Sequence, residues 1–363
     1  MNRIYFTVGP TELFPEIKKI LIDAIDNKIF SLSHRSREFT DINKHTEKEL
    51  KKLLNIPEDF YVFYVGSATE AMERIIQNLV EKKSCHFVNG YFAERFYNIA
   101  EQLKKKPYLI KAKYGEGFDF DKIKIPADSE LICLTQNETS TGVALNMQDI
   151  YKIKEKNPGK IVAVDVVTSV PFVRIDFKKI DCAFFSVQKG FGMPPGLGVI
   201  IIRKKCIEKT KYLKERNCNI GSFHNFISLA ENAEKNQTAV TPNIPGIYLL
   251  GKVCELLNKK GIEKIRKETI VKAEMMYDAF PDSGLGTGKE IRPFVQDKNL
   301  RSFTTPVFNV NNGSDVIAGK MKKKGFVISR GYRDFKDSQI RIGNFPMHKI
   351  SDIKRLLEAL KSI

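Results

Sequence analysis

Lys189 stands in the run SVQKGFGMPPGLGV (Ser186 to Val199), between two short apolar β-type segments, Asp181 to Phe185 and Gly198 to Ile202. A lysine at the end of a buried strand is costly while charged. Burial lowers its pKa, and the neutral amine that results attacks carbonyl groups to form an imine. Asp165 closes another apolar segment, Ile161 to Val164, and the polar run Gln136 to Gly142 follows Leu131 to Thr135. Gly66-Ser67-Ala68-Thr69 follows the strand-like Phe60 to Val65 and opens a helix. Backbone N–H groups at such a start suit a phosphate. Phe92, behind Gly90 and Tyr91, offers an aromatic face. Each residue also has an ordinary reading: a surface lysine, a turn-forming aspartate, a plain helix cap, a core phenylalanine. Taken together at successive strand ends, they suit a phosphorylated pyridine aldehyde. The lysine would bind it, the carboxylate would keep the ring nitrogen protonated, and the phenylalanine would stack on it.

Two other motifs fail. Ser186 and Lys189 satisfy Ser-x-x-Lys, but Gly190, Gly192, Pro194 and Pro195 forbid the helix that this nucleophile motif opens, and its companion elements are missing. SGLGTGKE (Ser283 to Glu290) suggests a P-loop, yet it lacks the first glycine, the final hydroxyl residue and the strand–loop–helix setting. It reads as a turn.

Strand ends need a sheet. Apolar segments at 60–65, 85–88, 108–112, 131–135, 161–164, 183–185 and 198–202 alternate with helical stretches. The pattern predicts an α/β fold with a mainly parallel seven-stranded sheet, in a large domain over 12–245. A smaller C-terminal α+β domain is expected over 246–363, with the segment 1–11 packing near it. Its elements would be one long helix from Pro245 to Ala279, strands at 304–310, 326–330 and 339–342, and a terminal helix with Ile350, Ile353, Leu356, Leu357 and Leu360 on one face.

Composition narrows the class. The chain has 363 residues, 42% hydrophobic and 28% charged, enough for two or three domains. No apolar run reaches the roughly 20 residues of a membrane span, and the start lacks the pattern of a signal peptide. Six cysteines without Cys-x-x-Cys pairs indicate buried thiols in a reducing cytoplasm. No cluster has metal-ligand spacing, so no metal is expected. The net charge of +17 is spread along amphipathic helices without a nucleic-acid module, so nucleic acid is not an expected partner. The field would favour a small anionic substrate.

The motifs VGPTELFP, SHRSREF, GSATEAMERI, QNETSTGV, AVDVVTS, SVQKGFGMPPGLGV, TPNIPGIYLL and IRIGNFP occur in order from about Val8 to Pro346. In these the chain resembles the class V aminotransferases of the pyridoxal-phosphate fold type I superfamily. The resemblance implies pyridoxal 5′-phosphate as cofactor, bound through Lys189, which would also shuttle the proton. It gives Asp165 the ring nitrogen, Phe92 the ring face and Thr139 the ring hydroxyl. Ser67, Ala68 and Gln188 would bind the cofactor phosphate, with Thr241 reaching in from a second subunit of a homodimer with shared active sites. Arg341 would clamp the substrate carboxylate, as a bidentate guanidinium does better than an ammonium.

Within the family two groups compete. His34-Arg35 fits both phosphoserine and alanine–glyoxylate or serine–glyoxylate aminotransferases. PPGLG (Pro194 to Gly198) and Glu138 to Gly142 are more similar to the glyoxylate group. At Arg330-Gly331-Tyr332-Arg333 the balance shifts: Tyr332 replaces an expected histidine, but Arg333 matches, and Arg330 and Lys336 add charge. Those arginines are equally readable as surface charges. The expected activity is transamination of phosphoserine with 2-oxoglutarate, in serine biosynthesis. An alanine or serine aminotransferase using glyoxylate or pyruvate is the alternative, and a non-catalytic binding protein of the same fold is a second. A cysteine desulfurase would need a mobile C-terminal cysteine, whereas the last one, Cys254, falls on a predicted helix.

Overall fold

The computed structural model describes residues 3–282, 291–311 and 313–362. The turn expected at Ser283 to Glu290 lies outside the described residues. In chain order the first elements are β1 (Ile4–Phe6), α1 (Ile17–Asp26), α2 (Arg37–Leu54), β2 (Phe60–Val65), α3 (Ala68–Leu79), β3 (Ser84–Val88), α4 (Tyr91–Gln102) and β4 (Tyr108–Lys111). Next come β5 (Leu131–Thr135), the short hairpin β6 (Asn137–Glu138) and β7 (Val143–Ala144), α5 (Met147–Lys156), β8 (Ile161–Asp165), β9 (Cys182–Ser186) and β10 (Gly198–Arg203). After these follow α6 (Cys206–Glu215), α7 (Phe226–Ala233), α8 (Ile244–Lys260), α9 (Ile262–Ala279), β11 (Ile291–Pro293), β12 (Val307–Val310), α10 (Ser314–Lys323), β13 (Phe326–Arg330), β14 (Gln339–Arg341) and α11 (Ile350–Lys361).

Seven strands form the large sheet in the order β2-β10-β9-β8-β5-β3-β4. All run parallel except β10, which opposes both its neighbours. Alternate side chains of each strand enter different cores. Ile132, Leu134, Val162, Val164, Ala183, Phe185, Val199 and Ile201 join one. Leu131, Cys133, Ala163, Cys182, Phe184, Ile200 and Ile202 join the other, beneath α3 and α7. A sheet covered on both faces needs continuous apolar strands, and this is why they were legible as runs rather than as alternating patterns. Asp165 and Ser186 end up at the carboxyl ends of adjacent strands, where open α/β sheets hold their ligands.

The second sheet has the order β1-β13-β14-β12-β11, with β1 parallel to β13 and the others antiparallel. Its apolar face packs against α11, through Ile353, Leu356 and Leu360 with Phe6, Phe308 and Ile340. The expected helix over 245–279 is two helices. Gly261 adopts φ +87° between α8 and α9, a left-handed backbone conformation that ends one helix and starts the next. The strand expected from Thr304 starts only at Val307; Thr304 and Thr305 form a turn whose N–H groups both donate to Ser302 Oγ. All six cysteines are free, and Cys254 is buried on α8. Among the described residues no helix is long and apolar enough to cross a membrane. No group of three or more His, Cys, Asp or Glu among them is placed to hold a metal ion.

Candidate active site

Lys189 sits in the turn after β9, its side chain buried. The amine donates to the backbone carbonyl of Val8 at 2.8 Å. The chain around Val8 is held on both sides. Val8 N–H donates to Ser329 Oγ at 3.2 Å, and Thr11 N–H to the carbonyl of Gln188 at 3.2 Å. Gly9 lies against the lysine with φ +122°. A Cβ there would fall 2.1 Å from Lys189 Cδ and 2.4 Å from Nζ, so the close approach requires glycine. Burial, with the charge of Arg341, draws the Lys189 amine down to about 8, against the pull of Asp165. About a tenth of the amine is therefore unprotonated at pH 7, far more than for an ordinary lysine.

Asp165 is the last residue of β8 and is buried. Its Oδ1 accepts from Val167 N–H at 2.9 Å. Burial pushes its carboxyl up to about 7; the Glu138 charge adds to this, while the Val167 N–H and Lys189 oppose it. Such a carboxyl is stabilised by a cationic partner. Gln188 Oε1, Ser169 Oγ and Thr141 Oγ1 are buried polar atoms with no hydrogen-bond partner among the described residues. Orphaned buried acceptors and donors of this kind are rare unless a bound group satisfies them.

Ser67 caps α3: its Oγ accepts from Glu70 N–H at 3.1 Å, which leaves its hydroxyl proton to donate. The Ala68 N–H is already used, donating to Ser186 Oγ at 2.8 Å. Ser186 therefore steadies the helix start; it ends β9 and is followed by a turn rather than the helix that a Ser-x-x-Lys nucleophile opens. Thr139 is buried, with Oγ1 3.0 Å from Thr168 Oγ1. Its carbonyl accepts from Arg341 Nη1 at 3.3 Å, and Arg341 Nε donates to the Arg330 carbonyl at 2.8 Å. Burial draws the Arg341 guanidinium down to about 10, countered by Glu138 and Tyr332. Among the described residues no carboxylate lies within ion-pair distance of Arg341.

Phe92 lies in the first turn of α4, its ring stacked on Tyr332 with centres 5.3 Å apart. Glu138 fixes that turn. Fully buried, it accepts from Phe92 N–H, Ala93 N–H and Ser140 N–H, and from Ser140 Oγ at 2.6 Å. Burial raises its pKa against those four bonds. A carboxylate at a helix N-terminus is well placed, and here it joins the loop after β5 to α4.

Arg333 is half exposed in a left-handed conformation (φ +47°), with Nη1 3.8 Å from Glu94 Oε2. It lines a cleft of about 660 Å³ together with Thr7, Lys322, Arg330, Tyr332, Lys336 and Arg341. Among the described residues no carboxylate lines that cleft. His34, Arg35 and Thr241 gather elsewhere. Thr241 Oγ1 is 3.2 Å from His34 Nδ1, and Arg35 Nη1 reaches Asn232 Oδ1 at 3.0 Å and Gln237 Oε1 at 2.8 Å. None of the three is hydrogen-bonded to Lys189, Asp165, Gln188 or Arg341. Burial and Arg35 lower the His34 pKa. Thr241 instead faces a cavity of about 330 Å³ that Gly66, Glu70 and His224 also line.

Lys189 thus lies within electrostatic reach of Asp165 and Arg341. Arg341 is bonded to Thr139, and Tyr332 bridges Arg341 to Phe92, while Ser186 ties β9 to the helix start at Ser67 and Ala68. Sequence reasoning did not single out the Val8 carbonyl, Gly9, Glu138 or Arg95. Only Glu138 left a trace, as a lone acid in a hydroxyl-rich run behind a strand.

The family model "Aminotransferase class-V" matches residues 7–332. The phosphoserine aminotransferase of Corynebacterium glutamicum is 26% identical over 364 residues, covering 99% of this chain and 93% of that protein. A crystal structure of a phosphoserine aminotransferase from Cytophaga hutchinsonii is 42% identical, with a TM-score of 0.96 over 100% of this chain and 99% of that one. The alanine–glyoxylate aminotransferase of Nostoc sp., 20% identical with a TM-score of 0.84 over 100% of this chain and 95% of that one, shares the fold. This chain belongs to the class V aminotransferases, whose cofactor is pyridoxal 5′-phosphate.

Proposed function

We propose that the chain moves the amino group of phosphoserine to 2-oxoglutarate, acting in the cytoplasm as a homodimer. The observation that carries the substrate class is the cleft lined by Arg341, Lys322, Arg330, Arg333 and Lys336. No carboxylate stands in its lining among the described residues, Asp337 and Glu94 pairing with Arg330 and Arg333 from outside it. A phosphate ester brings two more negative charges than alanine, and a concave wall of cations is the matching environment. The names of the Corynebacterium and Cytophaga proteins support the same substrate.

The residues of the crevice fit pyridoxal phosphate. Lys189 would hold the aldehyde carbon, Asp165 the ring nitrogen, Phe92 one ring face and Thr139 the ring hydroxyl. Ser67 and Gln188 would bind the phosphate at the start of α3, Gln188 turning its amide to donate, while the Ala68 N–H is held by Ser186 and is not free for it. When bound, the cofactor supplies an electron sink that makes the substrate Cα–H acidic. Arg341 would fix the substrate α-carboxylate, which sets the Cα–H bond at one angle to the ring. Lys189, released by the incoming amine, would take the proton from Cα and return it to the cofactor carbon. An amine whose pKa is drawn to about 8 is matched to both directions of that transfer. Asp165 would stay ionised beside a protonated ring nitrogen. Gly9 and Val8 would keep water from one side of the amine.

His34, Arg35 and Thr241 would act on the site of the second subunit. The His34–Thr241 contact and the anchoring of Arg35 on Asn232 and Gln237, with no hydrogen bond from any of the three to Lys189 or Arg341, support a role in trans.

A second reading, transamination of alanine or serine with glyoxylate, draws support from Arg333, whose charge already leans on Glu94. The two are separated by mixing the holoenzyme singly with phosphoserine, alanine, serine, aspartate and glutamate while following the absorbance of the lysine-bound cofactor. Phosphoserine should be consumed with the highest kcat/KM. A preference for alanine or serine would replace this reading with the second.

A further inference from the structure

We infer that Arg95, together with the hydroxyl of Tyr332, selects amino acids whose side chain ends in an anion; this rests on the proposed anionic substrate. Arg95 follows Phe92 by three residues on α4, so the two share a helix face. Its guanidinium carbon stands 5.6 Å from the centre of the Phe92 ring, and Nη2 donates to the Tyr332 oxygen at 3.2 Å. Tyr332 stacks on Phe92 with ring planes 27° apart, and its ring centre is 5.5 Å from the guanidinium carbon of Arg341. In space the order is Arg341, the phenol of Tyr332, then Arg95.

The charges around this row are unequal. Arg330 is paired with Asp337, and Arg333 leans on Glu94. Among the described residues no carboxylate lies within ion-pair distance of Arg95. A guanidinium set over the Phe92 ring, with its charge unmatched, is a strong partner for a phosphate or carboxylate. Because the Tyr332 oxygen accepts from Arg95, its own proton is free to donate to the same anion. With the α-carboxylate on Arg341, the phenol acts as a spacer, and the far end of an anionic side chain meets Arg95. Alanine offers nothing there. A site built to bond a polar group discriminates against analogues lacking it.

The test uses the holoenzyme and its variants Arg95→Gln, Arg95→Lys and Tyr332→Phe. Half-reaction kinetics would be measured with phosphoserine, glutamate and alanine. Binding of 3-phosphoglycerate, which has no amino group to react, would be measured by calorimetry. Arg95→Gln should raise KM for phosphoserine and weaken 3-phosphoglycerate binding by about 10- to 100-fold. Alanine kinetics should change far less. Arg95→Lys should recover part of the loss, and Tyr332→Phe should show a smaller loss in the same direction, which keeps the test alive if Arg95→Gln fails to fold. An equal loss with alanine, or no loss with either anionic amino acid, overturns the inference. If phosphoserine is used and Arg95→Gln is indifferent, the substrate reading stands alone. If phosphoserine is not used but glutamate use falls selectively in Arg95→Gln, the Arg95 assignment stands alone.

Discussion

The carbonyl of Val8 accepts a hydrogen bond from Lys189 Nζ at 2.8 Å across 181 positions of sequence. The amine thus rests on the N-terminal segment, itself tied to β13 through Ser329 and to the lysine turn through Thr11. Gly9 makes the approach possible. Gly9→Ala should push the lysine aside and strain the backbone. We expect weaker cofactor retention and a fall in kcat of about 100-fold, the scale set by misplacing a reacting group by about 1 Å. Absorbance titration with pyridoxal phosphate and steady-state rates would check it.

Replacing Lys189 itself is a harsher change. Lys189→Ala should remove the borohydride-fixed label from the peptide around position 189 and cut turnover by at least about 1,000-fold. A label mapped to any other lysine contradicts the assignment.

The pH response of the cofactor-free protein follows from two buried groups. Burial holds the Lys189 amine near 8, below its unfolded value. Between those values the unfolded chain binds more protons, so this group's penalty is full below about pH 8 and relieved as pH rises through the alkaline range. Asp165 is raised by burial to about 7, above its unfolded value, so its contribution is present at acid pH and lost as pH rises towards 7. Asp165→Asn should flatten the slope between about pH 4 and 7 and stabilise the cofactor-free protein at pH 8 by on the order of 2–4 kcal/mol. Denaturant midpoints across that range provide the measurement. The rate of cofactor loading in the unaltered protein should climb with pH, reach half its maximum near pH 8 and level off above about pH 9.

Arg341→Lys keeps the charge but loses the fork that holds two carboxylate oxygens. The kcat/KM should fall by about 10- to 100-fold for every amino acid substrate alike. Arg333→Ala, in contrast, should impair phosphoserine far more than alanine. Equal effects from Arg333→Ala would count against the phosphate assignment.

Gly261 tests the backbone alone. A Cβ at this position meets nothing within 4 Å, yet φ is +87°. Gly261→Ala should therefore lower stability by about 1 kcal/mol without touching activity, read as a shift in Tm.

The large sheet was legible because each strand is apolar on both sides, so 60–65, 131–135 and 198–202 announced themselves as runs. Lys189 and Asp165 were legible for the same reason: each is a charged residue in the place where such a run stops. The helix break was not, because Lys259 and Lys260 continue an amphipathic pattern up to Gly261 and only the backbone angle reveals the turn. β1 and β11, three residues each, are too short for any period to show. The Val8 contact, the Tyr332–Phe92 stack and the grouping of His34 with Thr241 join positions far apart in the chain. Only tertiary packing brings them together, and no local spacing encodes it.

The pairing of β1 with β13 has a consequence for synthesis. Ile4 to Phe6 have no sheet neighbour until Phe326 to Ile328 exist. Until a ribosome has delivered nearly the whole polypeptide, the segment that covers the lysine is held to its turn by the Thr11–Gln188 and Phe14–Gly192 backbone bonds, and its outer edge stays open.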